Sequence, residues 1–338
     1  MPQQKNIGHG NIAWARPDLY EPRPMTTVFI DGEAGTTGLQ IRERLAPRAD
    51  IELVSIAAEK RKDANARHDL LNSVDVAILC LPDEAAKEAI GLIDAKSKTR
   101  VIDASTAYRV DPNWAYGFPE LSQAQAKKIA AATHVSNPGC YPQGFIAVVK
   151  PLIEAGVLDP DYPFTYNAVS GYSGGGKKMI EDYEKAGPNA VPYLPYGLTL
   201  NHKHLAEMKF YAGLAGDVIF QPVVGNYAQG MLGTVPLFIK ETTVANIHEI
   251  LTAAYAGSTF VEVAPLQSIE RSSDINPQSL NNTNRMQIHV FGNDARGQVL
   301  LTSIYDNLGK GASGAAVQNL NLMIGARETL GVDLPTRN

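Results

Sequence analysis

The first half of the chain alternates short apolar runs with helical patterns. Four runs rich in β-branched and other apolar residues predict strands, at 26–30, 51–57, 75–81 and 100–104. Helical patterns cover 38–45 and 83–94, and the second of them begins with an acidic residue. Strands that alternate with helices, and that are apolar along their whole length, indicate a parallel sheet covered by helices on both faces.

The pattern changes after about residue 150. Six further runs predict strands, at 164–170, 218–224, 233–241, 260–263, 286–291 and 298–305. Only two or three helices fit between them, so we expect a largely antiparallel sheet with helices on one face. Further helices are predicted over 144–155 and 311–330. The expected fold class is α/β plus α+β, with a parallel-sheet domain and a mixed or antiparallel-sheet domain.

Composition and charge exclude several classes of protein. The chain has 338 residues, enough for two domains, with 44% hydrophobic residues, 19% charged residues and a net charge of −5. This balance excludes a disordered chain and provides no basic face for nucleic acid. No apolar run approaches the ~18 residues that span a bilayer. Residues 1–24 are polar and proline-rich and lack periodicity, so we expect a flexible arm and no signal peptide.

Cys80 and Cys140 are the only cysteines in the sequence. Two cysteines so far apart build neither a disulfide framework nor a cysteine-rich metal site, and we expect a cytoplasmic protein. Cys80 lies in an apolar strand and fits a packed core residue. Cys140 is flanked by Pro138, Gly139 and Pro142 at the start of a predicted helix, where a thiol has a lowered pKa and is a better nucleophile. The alternative for Cys140 is a small buried residue, the commoner state of a free cysteine.

The turn after the first predicted strand carries a glycine pattern, G-x-x-G-x-x-G, and leads into a helix. It is a variant of the G-x-G-x-x-G dinucleotide fingerprint. Glycine permits close backbone approach, and a helix N-terminus offers unpaired N–H groups to a phosphate. The alternative is a plain strand-to-helix turn. We predict a Rossmann-like, dinucleotide-binding domain whose phosphate site comprises Gly32, Gly35, Thr36, Thr37 and Gly38.

The segment after the second predicted strand bears on which dinucleotide binds. An acid there would bind the ribose of NAD, whereas this chain has Ser55 followed by a basic run, Lys60, Arg61 and Lys62. These groups could meet a 2′-phosphate, so we expect NADP, with Ser55 and Arg61 at the cofactor. The alternative is an exposed basic turn. Pro82, which ends the third predicted strand, is assigned to the same cofactor site.

Several segments, in order along the chain, resemble one enzyme family. They are Gly-Glu-Ala-Gly-Thr-Thr-Gly (32–38), Asp-Ala-Ser-Thr-Ala-Tyr-Arg (103–109), Tyr-Gly-Phe-Pro-Glu (116–120), Asn-Pro-Gly-Cys-Tyr-Pro (137–142), Ser-Gly-Tyr-Ser-Gly-Gly-Gly-Lys (170–177), His-Lys-His-Leu-Ala-Glu (202–207) and Asp-Asn-Leu-Gly-Lys-Gly-Ala-Ser-Gly (306–314). Together they are similar to the shorter, second type of N-acetyl-γ-glutamyl-phosphate reductase, a family of arginine biosynthesis related to the aspartate-semialdehyde dehydrogenases. The resemblance runs from residue 25 to near the end and leaves residues 1–24 without a counterpart.

The resemblance implies reductive dephosphorylation of an acyl phosphate by NADPH. Cys140 would attack the acyl carbon and expel phosphate to form a thioester, which hydride reduces to N-acetylglutamate semialdehyde. Imidazole titrates near neutral pH, and we favour His202 as the acid–base group, with His204 and Glu207 in support. Gln143, three residues after Cys140, is expected to hold the acyl oxygen. The histidine pair could instead bind a metal, but the sequence shows no third ligand cluster, so no metal is expected.

Other residues of the matching segments are assigned to the substrate and the cofactor. The substrate carries a phosphate and a carboxylate, for which Arg and Lys side chains and glycine N–H groups are suitable partners. The predicted substrate site comprises Arg109, Asn137, Ser173, Gly174 and Lys177. The start of the last helix is expected over the nicotinamide, which adds Asn307, Lys310 and Gly311 to the cofactor site.

The resemblance also implies a domain organisation and an assembly. Residues 25–140 and 307–338 are expected to form the NAD(P)-binding domain, and residues 141–306 the catalytic and oligomerisation domain of a homodimer or homotetramer. The expected partners are an acyl-phosphate substrate and phosphate, with no nucleic acid and no membrane. Two alternatives stay open. One is a sibling reductase of aspartyl or α-aminoadipyl phosphate, and the other is a catalytically silent NAD(P)-binding regulator, against which Cys140 and the histidine pair argue.

Overall fold

The computed structural model describes residues 25–61, 63–266 and 269–334. The predicted arm, residues 1–24, and the last four residues lie outside this part of the chain. Within it, the chain folds around two β-sheets, one of six strands and one of seven, which confirms the expected fold class. None of the helices described is both long enough and apolar enough to cross a membrane.

The first sheet is built from six short strands. They are β1 (Thr26–Asp31), β2 (Ile51–Val54), β3 (Val76–Leu79), β4 (Arg100–Asp103), β5 (Ala115–Tyr116) and β6 (His134–Ser136). The helices between them are α1 (Thr36–Leu45), α2 (Ala64–Ser73), α3 (Asp83–Gly91) and α4 (Gln125–Ala131). All pairs are parallel, in the order β2-β1-β3-β4-β6-β5. The chain therefore changes direction across the sheet between β1 and β3, which is where open parallel sheets bind ligands.

The second sheet is mixed rather than purely antiparallel. Its strands are β7 (Thr165–Gly171), β8 (Tyr193–Pro195), β9 (Ile219–Gly225), β10 (Met231–Phe238), β11 (Val261–Val263), β12 (Met286–Asn293) and β13 (Gln298–Tyr305). They are ordered β11-β12-β13-β10-β7-β9-β8. The pairs β7–β9 and β11–β12 are parallel, and the others are antiparallel. The six predicted strands are present, and the short edge strand β8 was not predicted.

Helices cover one face of the second sheet. The remaining helices are α5 (Cys140–Glu154), α6 (Gly176–Ala186), α7 (Leu205–Ala212), α8 (Val244–Ala254) and α9 (Gly314–Ile324). Phe145 of α5 and Leu251 of α8 share a core with Val235 and Leu237 of β10. The alternate positions of β10 face outward, and Phe238 is 69% exposed. The sheet thus has one packed face and one open face.

The last helix returns to the first sheet. Val317 of α9 lies in the same core cluster as Ile30 of β1. The helix is shorter than the predicted 311–330, because a π-helical turn over Gly309–Ser313 precedes it and Gly325, with a φ of 68°, ends it. This return places the π-helical turn beside the start of α5.

A buried ion pair fixes the π-helical turn. The ammonium of Lys310 is fully buried and lies 2.8 Å from each carboxylate oxygen of Glu120 and 2.8 Å from Oε1 of Gln318. Burial lowers the pKa of Lys310 below its ordinary value, while the charge of Glu120 acts in the opposite direction. The Glu120 side chain is 7% exposed, so the ion pair is largely shielded from water.

Replacing Lys310 by methionine should destabilise the fold. The change leaves the Glu120 carboxylate buried without its cation, a loss of about 3–5 kcal/mol in the free energy of unfolding, measured by urea denaturation. The matched control is Lys87→Met, which removes an exposed ion pair with Glu84 and should leave the midpoint unchanged. If both changes altered the midpoint equally, the buried pair would contribute no more to the free energy of unfolding than the exposed pair does.

Candidate active site

A cavity of about 580 Å³ lies where the two sheets meet. The first sheet contributes the glycine-rich turn after β1 and the segments after β3 and β4, and the second contributes the end of β7. The start of α5, the loop before α7 and the π-helical turn complete the lining. Residues far apart in the sequence therefore share one space.

The glycine-rich turn forms the part of the lining suited to a dinucleotide. At Gly32, φ is 88° and an added Cβ would lie 2.3 Å from the carbonyl oxygen of Cys80, so only glycine fits. A Cβ at Gly38 would lie 2.6 Å from the carbonyl oxygen of Gly32. No side chain caps the start of α1, which leaves its first N–H groups available to a pyrophosphate. The residues that line the cavity here are Gly35, Thr36, Thr37 and Gly38.

Five of the predicted cofactor residues lie outside the cavity lining, namely Gly32, Ser55, Arg61, Pro82 and Lys310. The side chains of Ser55 and Arg61 both bind the carboxylate of Glu33, at 3.2 and 2.9 Å. Pro82 is exposed and precedes the first residue of α3. The structure thus brings residues 35–38 of the glycine-rich turn to the cavity and leaves Ser55, Arg61 and Pro82 outside its lining.

Gln143 and Lys310 do not take their predicted positions. Gln143 is fully buried, and its Nε2 donates to the carbonyl oxygen of Lys310 at 2.7 Å. Neither residue lines the cavity, and the Lys310 ammonium is engaged by Glu120. Gln143 is therefore not placed to hold an acyl oxygen, nor Lys310 to touch a nicotinamide. Together they join α5 to the π-helical turn.

Asn307 and Gly311 do line the cavity. Asn307 Nδ2 donates to Ser173 Oγ at 3.0 Å, and its Oδ1 accepts from the backbone N–H of Gly230 at 2.8 Å. A Cβ at Gly311 would lie 3.0 Å from the Cβ of Cys140. The small residue at 311 therefore keeps the space beside the thiol open.

Cys140 is the first residue of α5, and it lines the cavity. Burial raises the pKa of its thiol to about 11, although the Arg109 charge and the backbone N–H of Tyr141 favour the thiolate. The lowered pKa expected of a thiol at a helix N-terminus is therefore wrong in direction. Burial destabilises the thiolate more than the helix N-terminus and the nearby charges stabilise it. The resting residue is a neutral thiol.

His202 and His204 lie side by side in the loop before α7, with ring centroids 4.7 Å apart, and both line the cavity. The backbone N–H of His204 donates to Nδ1 of His202 at 3.1 Å. Burial, followed by the charge of Lys203, lowers the pKa of His202 to about 4. Burial also holds the pKa of His204 well below its ordinary value. Both rings are therefore neutral at neutral pH.

Glu207 supports the site in a different way from the one predicted. It contacts neither histidine ring through a hydrogen bond, and its buried carboxylate instead accepts three bonds from elsewhere. The donors are Arg109 Nη1 at 2.8 Å, Tyr116 OH at 2.9 Å and the backbone N–H of Gly139 at 2.9 Å. Glu207 thus fixes a cation of the cavity and the residue before Cys140.

All five predicted substrate residues line the cavity, namely Arg109, Asn137, Ser173, Gly174 and Lys177. Arg109 is buried, and its Nε has no hydrogen-bond partner among the described residues. Lys177 lies at the rim, where its side chain is 80% exposed and 3.8 Å from Glu181. Arg109 is therefore a buried cation of the cavity, whereas Lys177 is an exposed one.

Lys203 and Tyr196 also line the cavity, and neither was assigned a role from the sequence. Lys203 stands between the two histidines, and its charge favours the thiolate of Cys140. Lys203 could have been recognised from the sequence because it is a cation between two candidate histidines. No sequence pattern pointed to Tyr196. Over residues 25–61, 63–266 and 269–334, no three His, Cys, Asp or Glu side chains cluster as metal ligands would.

Two family models match most of the chain. Residues 27–129 match the NAD binding domain of semialdehyde dehydrogenase, and residues 140–307 match the dimerisation domain of semialdehyde dehydrogenase. An N-acetyl-γ-glutamyl-phosphate reductase from Chelativorans sp. is 58% identical over 303 residues, which cover 88% of this chain and 97% of the relative. The chain belongs to the N-acetyl-γ-glutamyl-phosphate reductases of the semialdehyde dehydrogenase family. The resemblance stated from the sequence is confirmed.

Other comparisons agree with this family. The enzyme of the same name from Mesorhizobium japonicum is 55% identical over 88% of this chain and 98% of its own length. Among solved structures, aspartate semialdehyde dehydrogenase II from Vibrio cholerae superposes with a TM-score of 0.69, covering 90% of this chain and 99% of that one. At 16% identity that likeness shows the fold. The expected oxidoreductase class and nicotinamide-binding domain are confirmed for this member of the N-acetyl-γ-glutamyl-phosphate reductases.

The raised pKa of Cys140 predicts how the thiol reacts with an alkylating agent. Only the thiolate reacts, so the rate of labelling by iodoacetamide should rise about tenfold per pH unit between pH 7 and pH 9. Peptide mass spectrometry follows each cysteine separately, and Cys80, whose pKa burial raises to about 12, should react more slowly. A Cys140 rate that levels off below pH 8 would contradict a neutral resting thiol.

Proposed function

We propose that this chain reduces N-acetyl-γ-glutamyl phosphate to N-acetylglutamate semialdehyde, releasing phosphate, with NADPH as the reductant. The observation that carries the proposal is one cavity that joins a dinucleotide-type turn, Cys140 and two neutral histidines. Relatives that are 50–58% identical over at least 88% of this chain bear the corresponding name. We also propose that the enzyme works in the cytoplasm, where free thiols such as Cys80 and Cys140 persist.

The first half of the reaction forms a thioester on Cys140. The sulfur attacks the γ-acyl carbon, the bond from that carbon to the phosphate oxygen breaks, and phosphate leaves. The thiol gives up one proton and the departing phosphate takes up one. His202 is our acid–base candidate for this exchange, with His204 as its support. Nδ1 of His202 accepts from the His204 N–H, so the neutral ring carries its proton on Nε2. Nε2 can give that proton to the departing phosphate and take up the proton of the thiol in its place.

The second half releases the aldehyde. When bound, the cofactor supplies a hydride to the acyl carbon, and the resulting thiohemiacetal is held by Cys140. Hydride addition leaves the oxygen of this intermediate as an alkoxide. Cleavage of the carbon–sulfur bond then releases the semialdehyde and a thiolate, which takes up the one proton that the overall reduction consumes. Because His202 is neutral above about pH 4 and carries its proton on Nε2, it can donate a hydrogen bond to the alkoxide oxygen throughout the physiological range.

Charged side chains of the cavity account for binding of the substrate anions. Arg109 is held by Glu207, and its unpartnered Nε is free to donate to a phosphate or carboxylate. Asn137, Ser173 and the backbone at Gly174 add neutral donors, and Lys203 and Lys177 add charge. A buried anion facing so many donors is stabilised, whereas a neutral substrate would leave them unpaired.

NADP is the proposed form of the nicotinamide cofactor. Ser55, rather than an acid, follows β2, and Arg42 and Arg61 lie beside it. A carboxylate at the end of β2 would favour the ribose hydroxyls of NAD, whereas arginine accommodates a 2′-phosphate. The preference is testable by comparing NADP⁺ with NAD⁺ in the assay that follows.

The test is the reverse reaction, phosphate-dependent reduction of NADP⁺ by N-acetylglutamate semialdehyde. Cys140→Ser should lower turnover at least about 10³-fold, because the thioester no longer forms, while binding of NADPH, followed by fluorescence, stays intact. Full activity of this variant would exclude the thioester mechanism. Turnover with aspartate or α-aminoadipate semialdehyde instead would identify a sibling reductase, and no turnover with any would favour a silent regulator.

The open face of the second sheet is the proposed interface of a homodimer or homotetramer. Exposed apolar residues lie on it, among them Ile219, Phe238 and Leu300, and a shallow apolar cavity of about 550 Å³ adjoins Phe238. The family model that covers this region is described as a dimerisation domain. Exposed apolar area of this kind marks a protein interface.

Phe238→Asp should therefore lower the molar mass of the assembly in light scattering coupled to size-exclusion chromatography. A charge on this face must be desolvated in the interface, which weakens association. The control is Leu39→Asp on α1, where the leucine is also apolar and is 55% exposed, away from the second sheet. An unchanged mass for Phe238→Asp would exclude this face as the interface.

A further inference from the structure

Four side chains meet on the β2 side of the glycine-rich turn. Arg42 Nη1 lies 3.0 Å from Glu33 Oε2 and 2.9 Å from Ser55 Oγ, and Arg61 Nη2 lies 2.9 Å from Glu33 Oε1. Ser55 Oγ donates to Glu33 Oε2 at 3.2 Å. The Glu33 side chain is 16% exposed, whereas those of Arg42 and Arg61 are 46% and 44% exposed. One carboxylate therefore holds two surface arginines and a hydroxyl together.

The position of this cluster relates it to the cofactor. Ser55 immediately follows β2, and Glu33 belongs to the turn between β1 and α1. The cavity lies on the β3 side of the same turn, where Cys80 and Leu81 line it. A dinucleotide whose pyrophosphate lies at the start of α1 extends its adenosine ribose toward the end of β2. The cluster thus stands where the ribose 2′ position arrives.

We infer that Glu33 occupies the place of the cofactor's 2′-phosphate, pairing with Arg42 and Arg61 while the site is free and releasing them when NADP binds. The inference rests on the proposed use of NADP. A phosphate monoester carries about −1.5 to −2 charges and three acceptor oxygens at pH 7. Glu33 offers one charge and two oxygens, so the phosphate is the better partner for both arginines and Ser55.

The Glu33 carboxylate in the place of the 2′-phosphate has two effects on cofactor binding. Glu33 keeps the arginines ordered before the cofactor arrives, which reduces the entropy that binding must remove. It also repels the incoming phosphate, so its charge lowers the affinity for NADP relative to a neutral side chain. The second effect applies only to ligands that carry the 2′-phosphate, and this makes it measurable.

The experiment compares adenosine 2′,5′-bisphosphate with AMP, which differ only in the 2′-phosphate, by titration calorimetry. We expect Glu33→Gln to bind the bisphosphate up to about fivefold more tightly than the wild-type chain does, the range of an exposed ion pair, and to bind AMP unchanged. Arg61→Gln should lose most of the preference for the bisphosphate. The control Glu59→Gln, an exposed residue outside the cluster, should match the wild type.

Three outcomes would overturn the inference, and they differ in what else they affect. Weaker binding of both ligands by Glu33→Gln would show that the carboxylate binds the ribose hydroxyls. Unchanged bisphosphate affinity in this variant, with the wild type still preferring the bisphosphate, would refute the role of Glu33 and leave NADP dependence standing. No preference in the wild type would refute both. Thermal unfolding of each variant checks that the fold is intact.

Discussion

The buried carboxylate of Glu207 is the contact on which the geometry of the site depends. It comes from α7, and it accepts from Arg109 after β4, from Tyr116 of β5 and from the backbone before Cys140. A carboxylate without water is tolerated only when its oxygens are fully paired, so the three donors are held in one arrangement. That arrangement fixes at once the interior cation of the cavity and the entry to α5. Glu207 of α7 thereby fixes the position of Cys140 relative to Arg109.

Burial also determines the protonation states of the groups that exchange protons in the site. Removing water raises the pKa of Cys140 and lowers the pKa values of His202 and His204, so all three groups rest in their neutral forms. A neutral thiol and two neutral imidazoles in one cavity form no ion pair, so charge appears only as the sulfur attacks. Arg109 and Lys203 then favour the developing thiolate. The cavity is therefore arranged for charge that forms during the reaction rather than for charge that is present at rest.

Sequence reasoning reached the parts of the site that depend on local pattern. The glycine-rich turn and Cys140 at the start of a helix are defined by neighbours a few residues away, and residues 35–38 and Cys140 share one cavity. Glu207 and Arg109 are 98 residues apart, and Gln143 and Lys310 are 167 apart, so spacing could not reveal either contact. The direction of the Cys140 pKa shift was missed for the same reason, because it depends on burial by segments distant in the sequence.

Lys310 shows how a residue outside the cavity still belongs to the site. Its ammonium is held by Glu120, and its carbonyl oxygen accepts from Gln143, one turn into the helix that Cys140 begins. Its neighbour Gly311 approaches the Cβ of Cys140 so closely that an added Cβ would lie 3.0 Å away. The ion pair with Glu120 therefore helps to fix the distance between the π-helical turn and Cys140. A lysine in a family motif need not touch a ligand. Its buried ion pair can instead hold the neighbouring backbone in position beside the site.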